Sequence, residues 1–119
     1  MLEIAIIGDS TSQFYSKLNK LIYDIKNTFN EEEIVLYTIG YSGSEFSKSI
    51  HKIATEFDIP VVLRIINKKF GRGRQSRLMK QCCDDIHFFV FCDVTEPLQQ
   101  SILTYCEQEN KTIQHYKLK

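Results

Sequence analysis

Apolar residues along this chain gather in short dense runs, and between the runs they recur at helical spacing. Leu2 to Ile7 (LEIAII) is the first run; it is closed by Gly8 and reads as a buried strand. Phe14, Leu18, Leu21, Ile22, Ile25 and Phe29 then share one side of an amphipathic helix, with Ser10, Thr11 or Ser12 as its cap. Ile34 to Ile39 (IVLYTI) is a second strand, closed by Gly40. Gly43 and Ser44 open a helix whose apolar face is Phe46, Ile50, Ile53, Ala54 and Phe57, and Asp58 and Pro60 stop it.

The alternation continues to the end of the sequence. Val61 to Ile66 (VVLRII) is a third strand, Asn67 to Gly73 a loop, and Gln75 to Asp84 a shorter helix with Leu78, Met79, Cys82 and Cys83 inward. Ile86 to Cys92 (IHFFVFC) is a fourth strand. Pro97 suits the first turn of a fourth helix that carries Leu98, Ile102, Leu103 and Cys106. Thr112 to Tyr116 is polar and alternating, which suits an edge strand. Strand–helix alternation of this kind predicts one α/β domain over residues 1–119: a three-layer, Rossmann-like, five-stranded, mainly parallel sheet with helices on both faces. The expected strand order is 3-2-1-4-5, with the flavodoxin-like 2-1-3-4-5 as its rival.

Composition narrows the class. The 119 residues are 43% hydrophobic and 25% charged, with eight Phe and six Tyr, enough to bury one core. The formal net charge is zero, which counts against a general nucleic-acid coat protein. No apolar run reaches the length of a membrane span and no secretory leader pattern opens the sequence, so a cytoplasmic protein with no membrane partner is expected. Cys82, Cys83, Cys92 and Cys106 form neither a zinc pattern nor a disulfide framework, and reduced, buried thiols are expected. His51, His87 and His115 lie outside the loops that follow strands, and His87 reads as a structural residue of the fourth strand. No metal site and no resident cofactor are expected.

In a parallel sheet of this kind ligands bind beyond the carboxyl ends of the strands. The loop after the first strand is Gly8-Asp9-Ser10-Thr11-Ser12, where a glycine lets a ligand approach and helix amides can hold an anion. The loop after the second is Gly40-Tyr41-Ser42-Gly43-Ser44-Glu45, with the same possibilities for a phosphate. Neither a Walker lysine motif nor Gly-x-Gly-x-x-Gly is present. Residues 60–80 hold no acid but carry Arg64, Lys68, Lys69, Arg72, Arg74, Arg77 and Lys80. They form a solvated basic face, a clamp on ligand phosphates, or a track for single-stranded nucleic acid with Phe70 stacking. Asp93 and Thr95 follow the fourth strand; either could touch a ribose or base, and Thr95 is also a natural helix cap.

The order of these motifs resembles the SLOG superfamily, and within it the short YpsA-like proteins. The resemblance rests on Gly8-Asp9-Ser10-Thr11, on Gly40-Tyr41-Ser42-Gly43-Ser44-Glu45 with Glu where the family has Asp, and on Arg74-Gln75-Ser76-Arg77-Leu78-Met79 with Gln where it has Asn. Asp84-Asp85, the run HFFVFC and Asp93 complete it, so it covers almost the whole chain. The family's glycine-rich turn after the fourth strand is replaced by Val94-Thr95-Glu96-Pro97, and the Pro-Gly-Gly-x-Gly-Thr motif of LOG-type enzymes is absent. The resemblance implies a Rossmann-like fold, a nucleotide or nucleotide-derived ligand such as an ADP-ribose-like molecule, and homo-oligomers. It nominates Gly8, Ser10, Gly40, Gly43, Glu45, Arg74, Gln75 and Asp93, to which the loop argument adds Asp9, Thr11, Ser42, Ser44, Arg72 and Thr95. Two other functions share these loops. One is a hydrolase of N-glycosidic or phosphate bonds using Glu45, Asp9 or Asp93; the other is a DprA-like module for single-stranded DNA.

Overall fold

Runs of β-branched and aromatic residues can be buried on both faces only when helices cover both faces of the sheet. The computed structural model, which describes residues 1–12 and 14–119, has that arrangement. Its elements are β1 (Leu2–Gly8), α1 (Tyr15–Thr28), β2 (Ile34–Tyr41), α2 (Glu45–Glu56), β3 (Val61–Ile66), α3 (Arg72–Asp84), β4 (Phe88–Cys92), α4 (Pro97–Gln108) and β5 (Thr112–Tyr116). The sheet order is β3-β2-β1-β4-β5, and all four neighbouring pairs are parallel. The Rossmann-like order is therefore the one observed, and β5 joins in the common direction.

Side-chain alternation divides the core in two. Ile4 and Ile6 of β1 and Leu36 of β2 pack against Leu18 and Ile22 of α1 and Phe46, Ile50 and Ile53 of α2. Ala5 and Ile7 of β1, with Phe89 and Phe91 of β4, pack against Met79 and Cys83 of α3 and Ile102 and Cys106 of α4. The chain thus winds outward from β1 to β3 on one face, crosses the sheet, and returns through β4 and β5 on the other. The switch in direction falls between β1 and β4, whose carboxyl ends meet at the Gly8–Cys92 register pair.

Several boundaries differ from the sequence expectation, each for a local reason. The residue capping α1 is Phe14, with no side-chain cap, because Ser10 to Ser12 are held in a turn by the Ser12 N–H bond to the Asp9 carbonyl. α3 starts at Arg72, earlier than Gln75, because the helical hydrogen bonds begin at the Gly71 carbonyl, which accepts from Gln75 N–H. β4 starts at Phe88, and His87 is exposed before it, so His87 has no part in the core. The thiols are all free; Cys83, Cys92 and Cys106 are buried and Cys82 is half-buried. Burial holds the Cys92 thiol up to about 12, and burial likewise raises Cys82.

Gly8 owes its identity to packing. A Cβ at this position would lie 2.3 Å from the ring of Phe46, which is itself fully buried. The glycine lets the α2 layer close onto the end of β1, which is a different reason from ligand approach. Gly8→Ala should destabilise the protein by about 1–3 kcal/mol, the usual cost of overpacking. Adding Phe46→Leu should recover part of that loss, since the two positions share one contact. Urea denaturation of the two single variants and the double variant measures the coupling, and strictly additive losses would contradict this packing account.

Candidate functional site

The loop after β1 is bound to the loop after β4. Asp9 is buried, at 8% exposure. Its Oδ1 accepts from the backbone N–H of Thr95 at 2.9 Å and of Glu96 at 3.0 Å, and its Oδ2 accepts from the Thr95 hydroxyl. Thr95 therefore serves Asp9 and does not cap α4, whose capping position is Glu96, with no side-chain cap bond. Glu96 returns the contact: its carboxylate accepts from Ser10 N–H at 2.8 Å and from Ser10 Oγ–H at 2.9 Å. The amide and hydroxyl that the sequence offers to a phosphate thus already hold an anion of this chain. Thr11 is exposed beside them.

The loop after β2 is likewise turned inward. The Ser10 carbonyl accepts from Glu45 N–H at 2.8 Å and from Phe46 N–H at 3.4 Å, and Ser44 Oγ accepts from Ser47 N–H at 3.2 Å. Together these satisfy the first amides of α2, the donors on which an anion would depend. Gly43 turns the chain with φ +83, a conformation that favours glycine, whereas Gly40 is buried in β2, where a Cβ would meet the Ser47 Oγ at an ordinary contact distance of 4.0 Å. Ser42 is exposed, and so is Glu45, which lies 3.6 Å from Lys48 on its own helix. Asp93 adopts φ +49, and its Oδ2 accepts from Leu118 N–H at 2.8 Å and Lys119 N–H at 3.1 Å. Its carboxylate holds the segment after β5 against the end of β4.

The basic segment separates into structural and open members. Arg64 grips Asp85 with both terminal nitrogens, at 2.6 and 2.8 Å, and stacks 4.6 Å over the Tyr37 ring. That bond holds the Asp85 carboxyl below its usual range. Arg74 covers the Phe70 ring at 4.0 Å, so one face of the proposed stacking side chain is taken. The Gln75 carboxamide donates to the Phe70 carbonyl at 2.5 Å and to the Lys68 carbonyl at 3.2 Å, and accepts from Tyr41 Oη–H at 2.9 Å. It shapes the loop before α3. Arg72 is exposed, and among the described residues no ion pair engages it.

Among the described residues these contacts leave a hollow of about 370 Å³ over the ends of β4 and β5, walled by Asp93, Val94, His115 and Lys117, and a larger crevice beside it. The larger crevice has a volume of about 490 Å³, lies between the first turns of α3 and α4, and is walled by Tyr41, Arg72, Ser76, Met79, Leu98 and Ser101. A second hollow of about 270 Å³ extends it through Tyr41, Pro97 and Leu98 to Ser10, Lys68, Glu96 and Gln99. Two features make it receptive. Neither α3 nor α4 has a side-chain cap at its start, so the first amides of both helices face this end with their partial positive charge. Gln99 is 1% exposed, and its Oε1 is the buried side-chain oxygen or nitrogen among the described residues that has no hydrogen-bond partner. The Lys68 ammonium lies 5.0 Å over the Tyr41 ring and adds charge at the rim.

A hollow of about 520 Å³ at the opposite end of the sheet, among Phe29, Phe57 and Pro60, receives the carboxyl ends of α1 and α2. Helix carbonyls there disfavour an anion. Among the described residues no group of three His, Cys, Asp or Glu could hold a metal ion.

Of the residues nominated from sequence, Arg72, Gln75 and Ser10 line the crevice. Gly8, Asp9, Thr11, Gly40, Ser42, Gly43, Ser44, Glu45, Arg74 and Thr95 are absent from its walls, and Asp93 lines the hollow over β4 and β5 instead. Sequence reasoning missed Tyr41, Ser76 and Gln99. Gln99 had a readable signal: it is a polar residue at the same helical spacing as Ile102 and Cys106, which are core positions.

Asp9 ties the loops after β1 and β4 together, and its loss should be costly. Asp9→Ala leaves two backbone N–H groups without acceptors and should destabilise the fold by about 2–4 kcal/mol. Asp9→Asn keeps one carbonyl acceptor and should lose less. Urea midpoints at unchanged m-value test this ordering, and equal loss in both variants would argue against the acceptor role. No family model, no curated protein and no solved structure matches this chain.

Proposed function

We propose that this protein binds a nucleotide or a nucleotide-derived ligand, ADP-ribose-like in character, in the crevice between the first turns of α3 and α4, as a sensor or sequestering protein. The convergence of two uncapped helix starts on one crevice, whose extension reaches Ser10 and Glu96 beside the β1–β4 switch point, carries the reading. Arg72 and Lys68 supply cationic groups for phosphate, and Tyr41, Met79 and Leu98 supply the aromatic and apolar surface for a base. The unpartnered oxygen of Gln99 suits an N–H donor, which a purine or cytosine amino group provides.

Binding is proposed in preference to turnover because of where the carboxylates are. Asp9 and Asp93 accept from the protein's own amides, and Glu45 is exposed away from the crevice. A general acid or base must reach the reacting proton; none of these three faces the crevice, and Glu96, which lines its extension, is engaged by Ser10 N–H and Oγ–H.

Thermal denaturation with a panel of adenine, guanine, cytosine and uracil nucleotides and ADP-ribose tests the proposal. A ligand present at one hundred times its Kd should stabilise the fold by about 2.7 kcal/mol. Arg72→Ala should reduce that gain without changing the unliganded protein. Gln99→Leu should reduce it while leaving the unliganded protein equal or more stable, because it removes a buried oxygen that has no partner. Absence of stabilisation by every member of the panel would sink the proposal.

A further inference from the structure

The two edges of the sheet are built differently. β5 exposes Thr112, Gln114 and His115, and Lys111 and Lys117 flank it, which are features that discourage another strand from pairing. β3 is flanked by Pro60 and Lys68 but carries no exposed polar residue of this kind within its span. Val62, Leu63 and Ile65 are 39%, 40% and 59% exposed, and no proline or lysine interrupts Val61–Ile66. Its one charge, Arg64, is folded back onto Asp85 and the Cys82 carbonyl at 2.6 Å, leaving the edge clear.

The hydrogen-bond phase of this edge is determined. Leu36 N–H donates to the Pro60 carbonyl at 2.9 Å, so residues 60, 62, 64 and 66 turn their backbone groups toward β2. The amides and carbonyls of Val61, Leu63 and Ile65 therefore point outward. The side chains of these same three residues share one face, the face on which Val61 packs against the α1–α2 core.

We infer that β3 pairs antiparallel with β3 of a second copy of this chain, about a two-fold axis through Leu63. Opposite residues of an antiparallel pair point to the same face, so a two-fold axis must pass through a residue position. An axis at Leu63 sets Leu63 against the second copy's Leu63 and Val61 against its Ile65. All three outward-facing residues then exchange both backbone bonds, about six in total. On the other face Val62 lies opposite the second copy's Arg64. An axis at Arg64 instead places two guanidinium groups directly opposite each other at the closer type of pair, which like charge opposes. Axes at Val62 or Ile65 engage fewer of the outward residues. Charge and hydrogen-bond phase thus select the same register.

Light scattering and sedimentation across a micromolar concentration series, with two kinds of variant, test this. The expected result is a dimer mass for the native chain and a monomer mass for Leu63→Lys and Ile65→Lys, both with unchanged circular dichroism. Leu63→Cys should form an intermolecular disulfide on mild oxidation. Val62→Cys should not, because two residues 62 lie beyond the Cα separation a disulfide spans. A native chain that stays monomeric throughout leaves the edge to a strand of another protein and overturns the proposal. A dimer that survives both lysine variants, or equal crosslinking at 62 and 63, overturns the register and with it the interface.

Discussion

Asp9 sits where the two halves of the sheet part, and its carboxylate binds the halves together. β1 and β4 are neighbours with no covalent connection between their carboxyl ends, and the loops leaving them turn toward opposite faces. Bonds from Asp9 to Thr95 and Glu96 fix the start of α4 over β1. Glu96, so placed, closes on Ser10, and the Ser10 carbonyl in turn satisfies the start of α2. One buried carboxylate therefore sets the position of two helix starts. The same low-polarity surroundings that strengthen this network would make a missing member expensive.

The network also decides where an outside anion can go. The start of α2 has the glycines and serines that suggest a phosphate cradle, yet its amides are spent on Ser44 and Ser10. The start of α3 has no capping side chain and no acid in its first turn, but two arginines, Arg72 and Arg74. Cations at a helix start work against its dipole. That unfavourable placement is reasonable where a negatively charged ligand supplies the missing counter-charge. Functional sites are where local rules of helix design are most often broken.

The fold was legible because its determinants are local and periodic. LEIAII, IVLYTI and VVLRII announce strands buried or half-buried by neighbours, and the spacing of Leu18, Ile22 and Ile25 announces the face of α1. The helix starts were less legible. Thr95 has the right residue type for a cap, but Asp9, eighty-six positions away, claims its hydroxyl. Gly8 looked like an opening for a ligand and proved to be room for Phe46, a contact between residues far apart in sequence. The crevice itself joins Tyr41, Arg72 and Leu98 from three separate segments, so no single motif could spell it. What sequence could have supplied was Gln99, a carboxamide on the buried stripe of α4.

The crevice and the β3 edge lie on different parts of the molecule, which constrains how they can influence each other. The crevice is walled by Tyr41 at the end of β2 and by α3 and α4, whereas the free edge is the far side of β3, one strand further out. In an antiparallel β3 pair the carboxyl ends of the two sheets face opposite directions, so the two crevices open at opposite ends of one continuous sheet. No residue of one copy would then complete the other copy's crevice. A ligand can shift an association equilibrium only through a difference in its affinity for the two states. With the crevice walls built from α3, α4 and the end of β2, and the proposed pairing built from the backbone of Val61, Leu63 and Ile65, the two are joined by the short loop from β3 to α3 and by the β2–β3 ladder, where Tyr41 pairs with Ile66. That loop is anchored by Gln75 to Tyr41 and to the carbonyls of Lys68 and Phe70. Coupling between ligand and assembly has Gln75 and the β2–β3 ladder as its routes, and the three satisfied bonds of Gln75 and the unbroken ladder favour a rigid joint and independent sites.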